Sequence, residues 1–508
     1  MIITIKSLIF VLLMGGLVFW FVGRLRLSCI TVRELSLWRN VWFVNQILAF
    51  LLPNIWFFFG ALFVSCYFMV PKTAQSKMYV YILLLGSLPM MHTIVPGLGV
   101  LNYLFKIDYA RFLSIFLLLP AFFLLKSRAK KFRLSSNPID KYVFLFIALV
   151  SVLDFRDETI TNGLRFLFLN FLDLFLPYYV VSRAIHDMDS LNKFLAVFLI
   201  SVGILSLMAV FESVKHWHIY NHLVQHLIGA SKVTTSEVRG GLLRAAVTFR
   251  TPIALGYVIT IGFGLYLYMS SLIRNESLKK IIPLGLVLAL ICTVSRGPWV
   301  GLAFLCIIYI FTGREKLTQL GKLAAGGLIT LPFFLMTSYG QTFIDLLPFV
   351  GTIRAETVDY RGRLFDMASI VIQRNFLFGS TDYINTPEMQ TMLQGEGIVD
   401  VVNTYLQIAL GYGWVGLILF CSIFLSLLWG IYQLGKPLYS KNMQLFQLGR
   451  ALFSILCGIA ITIYTVSSVD YIPHYYWVLF GVSSVYIVLS RECLVAEAKN
   501  GGGGNEAG

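Results

Sequence analysis

The stretch YLQIALGYGWVGLILFCSIFLSLL, residues 405–428, contains no charged side chain and is long enough to cross the hydrocarbon core of a bilayer as one α-helix. Similar apolar blocks occupy residues 2–22, 191–211, 255–273 and 452–469. Strands of a membrane β-barrel alternate in hydropathy over about ten residues, and these blocks do not alternate. The sequence therefore predicts an all-α integral membrane protein that crosses the bilayer about 12–14 times.

The composition excludes a soluble globule. Of the 508 residues, 58% are hydrophobic and 13% are charged, and the mean hydropathy is +0.79. The net charge of +15 does not indicate nucleic-acid binding, because the basic residues lie in short loops beside the apolar blocks, where they specify topology. The seven cysteines show no metal-ligand spacing, so we expect no disulfides. Arg24 and Arg26, rather than small residues, follow the first block, so we expect this block to be retained.

The distribution of lysine and arginine predicts which loops face the cytoplasm. Basic loops at residues 274–280, 313–322 and 436–450, with those at 126–133 and 183–193, are predicted to be cytoplasmic. Before about residue 110 this register fails, because Pro53 and Asn54 interrupt the apolar stretch 41–70, which is either a hairpin or one kinked helix.

The same register divides the chain into five parts. They are N-terminal helices over 1–134, central helices over 135–337 with an outer loop at 212–251, a large outer loop or cap over 338–402, C-terminal helices over 403–490, and a flexible cytoplasmic tail over 491–508.

Arginines on the outer side run against this charge rule and need another explanation. They are Arg239, Arg244, Arg250, Arg296, Arg354, Arg361, Arg363 and Arg374. Because the guanidinium fork matches phosphate oxygens, an arginine cluster at the bilayer surface suits a diphosphate headgroup. The alternative is that each arginine reaches lipid phosphates or pairs with a nearby carboxylate.

Other polar residues are weaker candidates. Asp173 lies within an apolar span and is either functional or a paired structural aspartate, whereas Asp470 precedes an aromatic belt at the outer edge. His218, His222 and His226 recur every fourth residue, which permits a zinc site, but their apolar neighbours favour an interfacial helix. We therefore expect no metal.

Several motifs, in this order, resemble those of the O-antigen ligase and polysaccharide polymerase family over about residues 165–489. They are LDLFLPYY at 172–179 followed by Ser182-Arg183, Arg244 with TFRTPIALG at 248–256, SRGPW at 295–299, RGR at 361–363 with NFLFG at 375–379, and DVVNTYL at 400–406 with GWVG at 413–416. Ligases of the family carry a histidine where this chain has Val402.

The resemblance implies a glycosyltransferase-C-like fold and an inverting glycosyltransferase in a bacterial inner membrane. Its active site would face the periplasm and use an undecaprenyl-diphosphate-linked glycan donor and acceptor without a metal or other cofactor. A chain-length regulator and a flippase are implied partners, with no role for nucleic acid. Arg296 and Arg363 are the expected catalytic arginines, and Glu396 or Asp400 is the expected general base. The expected substrate-binding residues are Arg244, Arg250, Arg361, Asn403, Tyr405, Asp173 and Asp470.

The favoured interpretation is a polymerase that joins lipid-linked repeats. The alternatives are a ligase with another acceptor and a lipid-linked oligosaccharide flippase or transporter. A transporter is favoured less, because related halves with broken helices are typical of transporters and no internal repeat is evident.

Overall fold

A computed structural model describes residues 2–97, 99, 102–128, 137, 139–156, 159–229, 237–239, 241–313, 355–394 and 397–502. The protein is 77% helical, which confirms the all-α fold. Its described strands form two short antiparallel hairpins, β1 (Thr93–Pro96) with β2 (Tyr103–Ile107) and β3 (Val238–Arg239) with β4 (Leu242–Leu243).

The described α-helices follow one another through short connections. They are α1 (Ile2–Leu25), α2 (Val32–Leu51), α3 (Ile55–Met69), α4 (Ala74–Leu84), α5 (Tyr109–Leu113), α6 (Leu119–Arg128), α7 (Asp140–Leu153), α8 (Ile160–Asn170), α9 (Leu176–Ala184), α10 (Met188–Lys215), α11 (Asn221–Ile228), α12 (Pro252–Met269), α13 (Glu276–Cys292), α14 (Arg296–Phe311), α15 (Ala355–Arg374), α16 (Pro387–Gln390), α17 (Thr404–Lys441), α18 (Met443–Tyr464) and α19 (Ile472–Gly502). Turns of π-helix at Ser114–Leu118 and Phe171–Phe175 join α5 to α6 and α8 to α9.

Eight helical segments among the described residues are long and apolar enough to span a membrane. They are Thr4–Leu25, Tyr109–Ser127, Ile160–Ala184, Met188–Lys215, Pro252–Leu272, Thr404–Lys441, Met443–Tyr464 and Ile472–Ala498, and α3 and α14 are shorter apolar helices. The chain is therefore a multi-pass membrane protein. The count of about 12–14 spans stays a prediction, because residues 314–354 lie outside the described residues.

The apolar stretch 41–70 forms two helices rather than one. Helix α2 ends at Leu51, and the Asn54 side chain caps α3 by accepting hydrogen bonds from the Trp56 and Phe57 amides at 3.0 and 3.1 Å. Helices α2 and α3 then pack against each other. Of the two alternatives left open by the sequence, the structure has the hairpin.

Helix direction separates two ends of the bundle. Helices α10, α13 and α18 run toward the end that holds residues 244–250, 295–296 and 465–470, which we call the site end, and α12, α14, α17 and α19 run away from it. At the opposite end, Arg183 pairs with Asp140 at 2.6 Å and Lys193 with Glu34 at 3.0 Å. The predicted cytoplasmic loops thus lie at the end away from the outer arginines.

Glycines allow α14 to approach α18 closely. A Cβ on Gly301 would lie 2.1 Å from Thr462 Oγ1, and one on Gly297 would lie 2.2 Å from Thr465 Oγ1. Gly297 belongs to the SRG turn, so this contact holds Arg296 at the start of α14 beside the loop that follows α18. The glycine of the motif therefore has a packing role.

We call α15, α16 and their connection to α17 the cap. Leu364, Ala368 and Val371 of α15 are buried in a small hydrophobic cluster with Met389 of α16 and Leu406 of α17. The cap thus packs against the start of a membrane-spanning helix. It has a hydrophobic core of its own, separate from that of the bundle.

Candidate active site

A buried carboxylate shapes the loop that contains Arg244 and Arg250. Glu212, at the end of α10, is fully buried and accepts hydrogen bonds from the amides of Ile219 (2.9 Å), Ala246 (3.3 Å) and Val247 (2.9 Å). Val247 has a φ of 55°, which is unusual for a β-branched residue. Glu212 supplies bonds that hold this strained turn in place.

Hydrogen bonds tie the same loop to the SRG turn. The Ala245 amide donates to the Cys292 carbonyl at 2.9 Å, and Arg244 Nη2 donates to Ser295 Oγ at 3.2 Å. Val294, immediately before the motif, has a φ of 44° and is a second strained β-branched residue. The buried Arg244 also pairs with Glu237. Arg244 therefore joins two loops, a positioning role.

Asp470 and Asp400 lie beside Arg250. The Arg250 amide donates to Asp470 Oδ2 at 2.9 Å, while the Arg250 side chain is exposed. Asp400 accepts a hydrogen bond from Ser467 Oγ at 3.2 Å, and the positive charge of Arg250 acts on this carboxylate as well. Asp470 has a φ of 57°, the third left-handed residue at this end of the bundle.

Burial controls the ionisation of both aspartates. It raises the pKa of Asp470 to about 7, against the opposing effects of the Arg250 amide and nearby positive charge. Burial also raises the pKa of Asp400, opposed by the Ser467 hydrogen bond and the charges of Arg250 and Arg361. Carboxylates with raised pKa values beside arginines are suited to accepting a proton near neutral pH.

Arg361, from the cap, completes the cluster. Its Nη2 donates to the Thr465 carbonyl at 3.2 Å, and it interacts electrostatically with Asp400 and Arg296. Arg363 is exposed and lies two residues further along α15, which places it roughly 200° around the helix axis. The structure thus brings together Arg250, Arg296 and Arg361, with Arg363 on another side of α15.

A second charged network connects to the predicted site residue Asp173. Arg111 donates from Nε at 3.0 Å and from Nη2 at 2.8 Å to Asp173 Oδ2, and Asp108 lies 3.4 Å from Arg111 Nη1. His474 Nε2 lies 3.6 Å from Asp173 Oδ1. Asp173 is therefore a paired aspartate that links α5, the π-turn after α8 and α19.

Asn403 and Tyr405 have structural partners. Asn403 Oδ1 caps α17 by accepting hydrogen bonds from the Tyr405 and Leu406 amides at 3.0 and 3.2 Å. The Tyr405 hydroxyl donates to the Ala460 carbonyl at 3.0 Å. These bonds fix the direction in which α17 leaves the Asp400 loop. Glu396, the other expected base, lies outside the described residues.

The NFLFG and GWVG motifs dock onto each other. Helix α17 breaks at Gly413, whose φ of 66° and ψ of −167° are accessible to glycine alone. The Trp414 and Val415 amides then donate to the carbonyls of Phe376 (2.9 Å) and Leu377 (3.1 Å) instead of to their own helix.

Arg156 clamps this junction from outside the family motifs. It donates to the carbonyls of Phe378 at 2.8 Å, Gly379 at 2.9 Å and Gly411 at 3.0 Å. Gly379 has a φ of 66°, and a Cβ there would lie 2.4 Å from the Leu410 carbonyl. The junction fixes the cap, and with it Arg361, relative to α17.

The predicted histidine face is wrong. Helix α10 ends at His216, which has a φ of 51°, and α11 begins only at Asn221. His218 is therefore not on the helix that carries His222 and His226. It is buried, with Nδ1 3.2 Å from Glu212 Oε2, a carboxylate that is close in space although the sequence had indicated none nearby.

Sequence reasoning missed Glu212, Arg111, Arg156 and His474. Arg111 carried a usable signal, because it is a cation in the first turn of an apolar span. Glu212 and Arg156 sit at the ends of apolar blocks, where charged residues are ordinary. Only the folded chain reveals that Glu212 is buried and that Arg156 bonds to residues more than 200 positions away.

Residues 281–421 match the model of a family described as O-antigen ligase. The comparison with curated proteins found no match. The matched range runs from α13 into α17 and therefore includes Arg296, Arg361, Asp400 and the Gly413 break.

Proposed function

We propose that this chain, which the match over residues 281–421 assigns to the O-antigen ligase and polymerase family, is a polysaccharide polymerase. The match supports a glycan-transferring membrane enzyme. In the finer proposal, the enzyme joins undecaprenyl-diphosphate-linked repeats at the periplasmic face of the inner membrane. It inverts the anomeric carbon and needs no metal.

The observation that carries the proposal is the convergence of three arginines on two aspartates. Arg250, Arg296 and Arg361 come from three separate segments, yet all lie at the site end around Asp400 and Asp470. Arginines that only anchored helices to lipid phosphate would have no reason to converge. Converging arginines at a bilayer surface provide the forked donors that a diphosphate requires.

The chemistry follows from this arrangement. An acceptor hydroxyl oxygen attacks the anomeric carbon of the donor, and the bond from that carbon to the diphosphate oxygen breaks. Undecaprenyl diphosphate leaves with the bonding electron pair, and the arginines stabilise the negative charge that it gains. Asp400 accepts the hydroxyl proton, a task that its raised pKa favours. Attack opposite the leaving group inverts the anomeric centre.

A ligase is the second candidate, because the matched family is described as O-antigen ligase. In a ligase the donor half of the site would be the same, but the acceptor would not be a lipid-linked repeat. Val402 occupies the position at which ligases of the family carry a histidine. The side chain of valine cannot take a proton, so this position favours a polymerase.

Purified full-length protein and purified lipid-linked repeats test the proposal. In detergent, where no membrane gradient exists, we expect chain growth visible as a ladder on a gel. Transfer only to an added non-repeat acceptor would indicate a ligase instead. A protein that moves the repeats across vesicle membranes but makes no new glycosidic bond would be a flippase, and the proposal would be wrong.

A further inference from the structure

An apolar groove lies between α1, α10 and α13, at the opposite side of the bundle from the cap. Its volume is about 450 Å³, and its lining includes Leu17, Phe21, Leu207, Ile282 and Leu288. The only polar side-chain atoms in the lining are those of Ser206 and the Trp20 indole. A cavity of this size and composition falls in the range used for apolar ligands.

A basic mouth opens at one end of this groove. A neighbouring cavity of about 620 Å³ shares Trp20, Phe21 and Leu25 with the groove and adds Arg24, Arg26 and Arg274. All three arginines are exposed, and Arg24 stacks over Trp20 with its guanidinium carbon 5.2 Å from the ring centre. In the part of the chain that the structure describes, none of them forms an ion pair.

The groove has the depth of one membrane leaflet. From Leu25 to Leu17 it follows about 12 Å of α1, and from Leu278 to Leu288 about 15 Å of α13, at 1.5 Å per residue. Half of a hydrocarbon core of roughly 30 Å is about 15 Å. The mouth therefore lies where headgroups lie, and the groove ends near the middle of the bilayer.

We propose that this groove binds an anionic glycerophospholipid of the leaflet away from the active site. The phosphate sits among Arg24, Arg26 and Arg274, and an acyl chain fills the apolar groove. Charge complementarity requires an anionic headgroup, because the arginines have no acidic partner among the described residues. The depth favours an acyl chain over a polyprenyl chain, which is several times longer than one leaflet. This site is independent of the proposed function.

Gly285 allows the groove to be blocked without disturbing its walls. It lines the groove within α13, and no atom lies within 4 Å of the position that a Cβ would take. Leucine is a better helix former than glycine, so Gly285→Leu fills the groove while favouring the helix. Gly60 of α3 is the matched control, since its Cβ position is equally open and it does not line the groove.

Native mass spectrometry of the full-length protein tests the proposal. The probes are phosphatidylglycerol and phosphatidylcholine with identical acyl chains. We expect phosphatidylglycerol to be retained at least tenfold better by wild type and by Gly60→Leu than by Gly285→Leu. The triple variant R24Q/R26Q/R274Q should lose retention to the same extent, whereas R33Q/R39Q/K436Q, which removes the same charge elsewhere, should keep it.

Three outcomes would overturn the proposal. The first is equal retention of both lipids by wild type, which would mean that the mouth does not select charge. The second is unchanged phosphatidylglycerol retention in both groove variants, which would place the lipid elsewhere. The third is preferential retention of undecaprenyl phosphate over phosphatidylglycerol, which would identify a polyprenyl site.

Discussion

Replacing Gly413 with alanine is expected to detach the cap from α17. A Cβ at this position would lie 2.3 Å from the Leu377 carbonyl oxygen and 2.5 Å from the Phe378 nitrogen, both of them backbone atoms. The φ of 66° and ψ of −167° are also closed to alanine. The substitution therefore forces the backbone of one partner to move.

The expected cost has two parts. Holding a non-glycine residue in this backbone region costs about 1–3 kcal/mol. Moving the backbone breaks the bonds from the Trp414 and Val415 amides to Phe376 and Leu377, and each unsatisfied amide costs about 1–3 kcal/mol. The total is roughly 3–9 kcal/mol, which is large against typical stabilities of about 5–15 kcal/mol.

Heating followed by size-exclusion chromatography in detergent measures the effect. Gly413→Ala should lose its monodisperse peak at a temperature several degrees below that of wild type. Gly435→Ala, on the same helix with an open Cβ position, should be unchanged or slightly more stable. A Gly413→Ala protein that melts with wild type and keeps full activity would refute the docking argument.

Three further predictions concern the charged groups and the topology. Arg361→Lys should lower polymer formation by about a hundredfold and Arg363→Lys by much less, because only Arg361 contacts the Asp400 cluster; equal losses in an activity assay would contradict this geometry. Because burial raises the pKa of Asp470 to about 7, wild type should lose stability relative to Asp470→Asn as the pH rises toward 7, with no further relative loss above it; parallel melting curves between pH 5 and 8 would contradict this. In intact cells, a cysteine at Gln394 should react with an impermeant reagent without breaching the inner membrane, and labelling only after breaching would reverse the topology.

The fold class was predictable from the sequence because apolar length alone identifies a spanning helix. Long blocks such as residues 191–211 required no knowledge of their neighbours. Residues 41–70 were ambiguous, since an apolar run with Pro53 and Asn54 fits either a kink or a hairpin. The cap of α3 by the Asn54 side chain decided between them.

The site was predictable in its residue types but not in its geometry. The sequence identified an arginine cluster, but the choice between Arg361 and Arg363 depends on which face of α15 packs against α17. The pair of Arg111 and Asp173 joins residues 62 positions apart, a contact that only helix packing creates. The glycines of the docked motifs were visible as letters, whereas their need for positive φ arises from a partner segment that is distant in sequence.

The rate of polymer formation by purified Arg296→Lys protein tests the central claim most directly. Lysine keeps the charge at the start of α14 but loses the planar fork, so a diphosphate-binding role predicts a loss on the order of 3 kcal/mol in transition-state stabilisation, roughly a hundredfold in rate. Arg374→Lys, an exposed cap variant, controls for lysine as such. With lipid-linked repeats in detergent, we expect near-normal polymer from Arg374→Lys and a hundredfold slower reaction from Arg296→Lys. Wild-type polymer from Arg296→Lys would mean that this arginine anchors a helix and does not bind the donor.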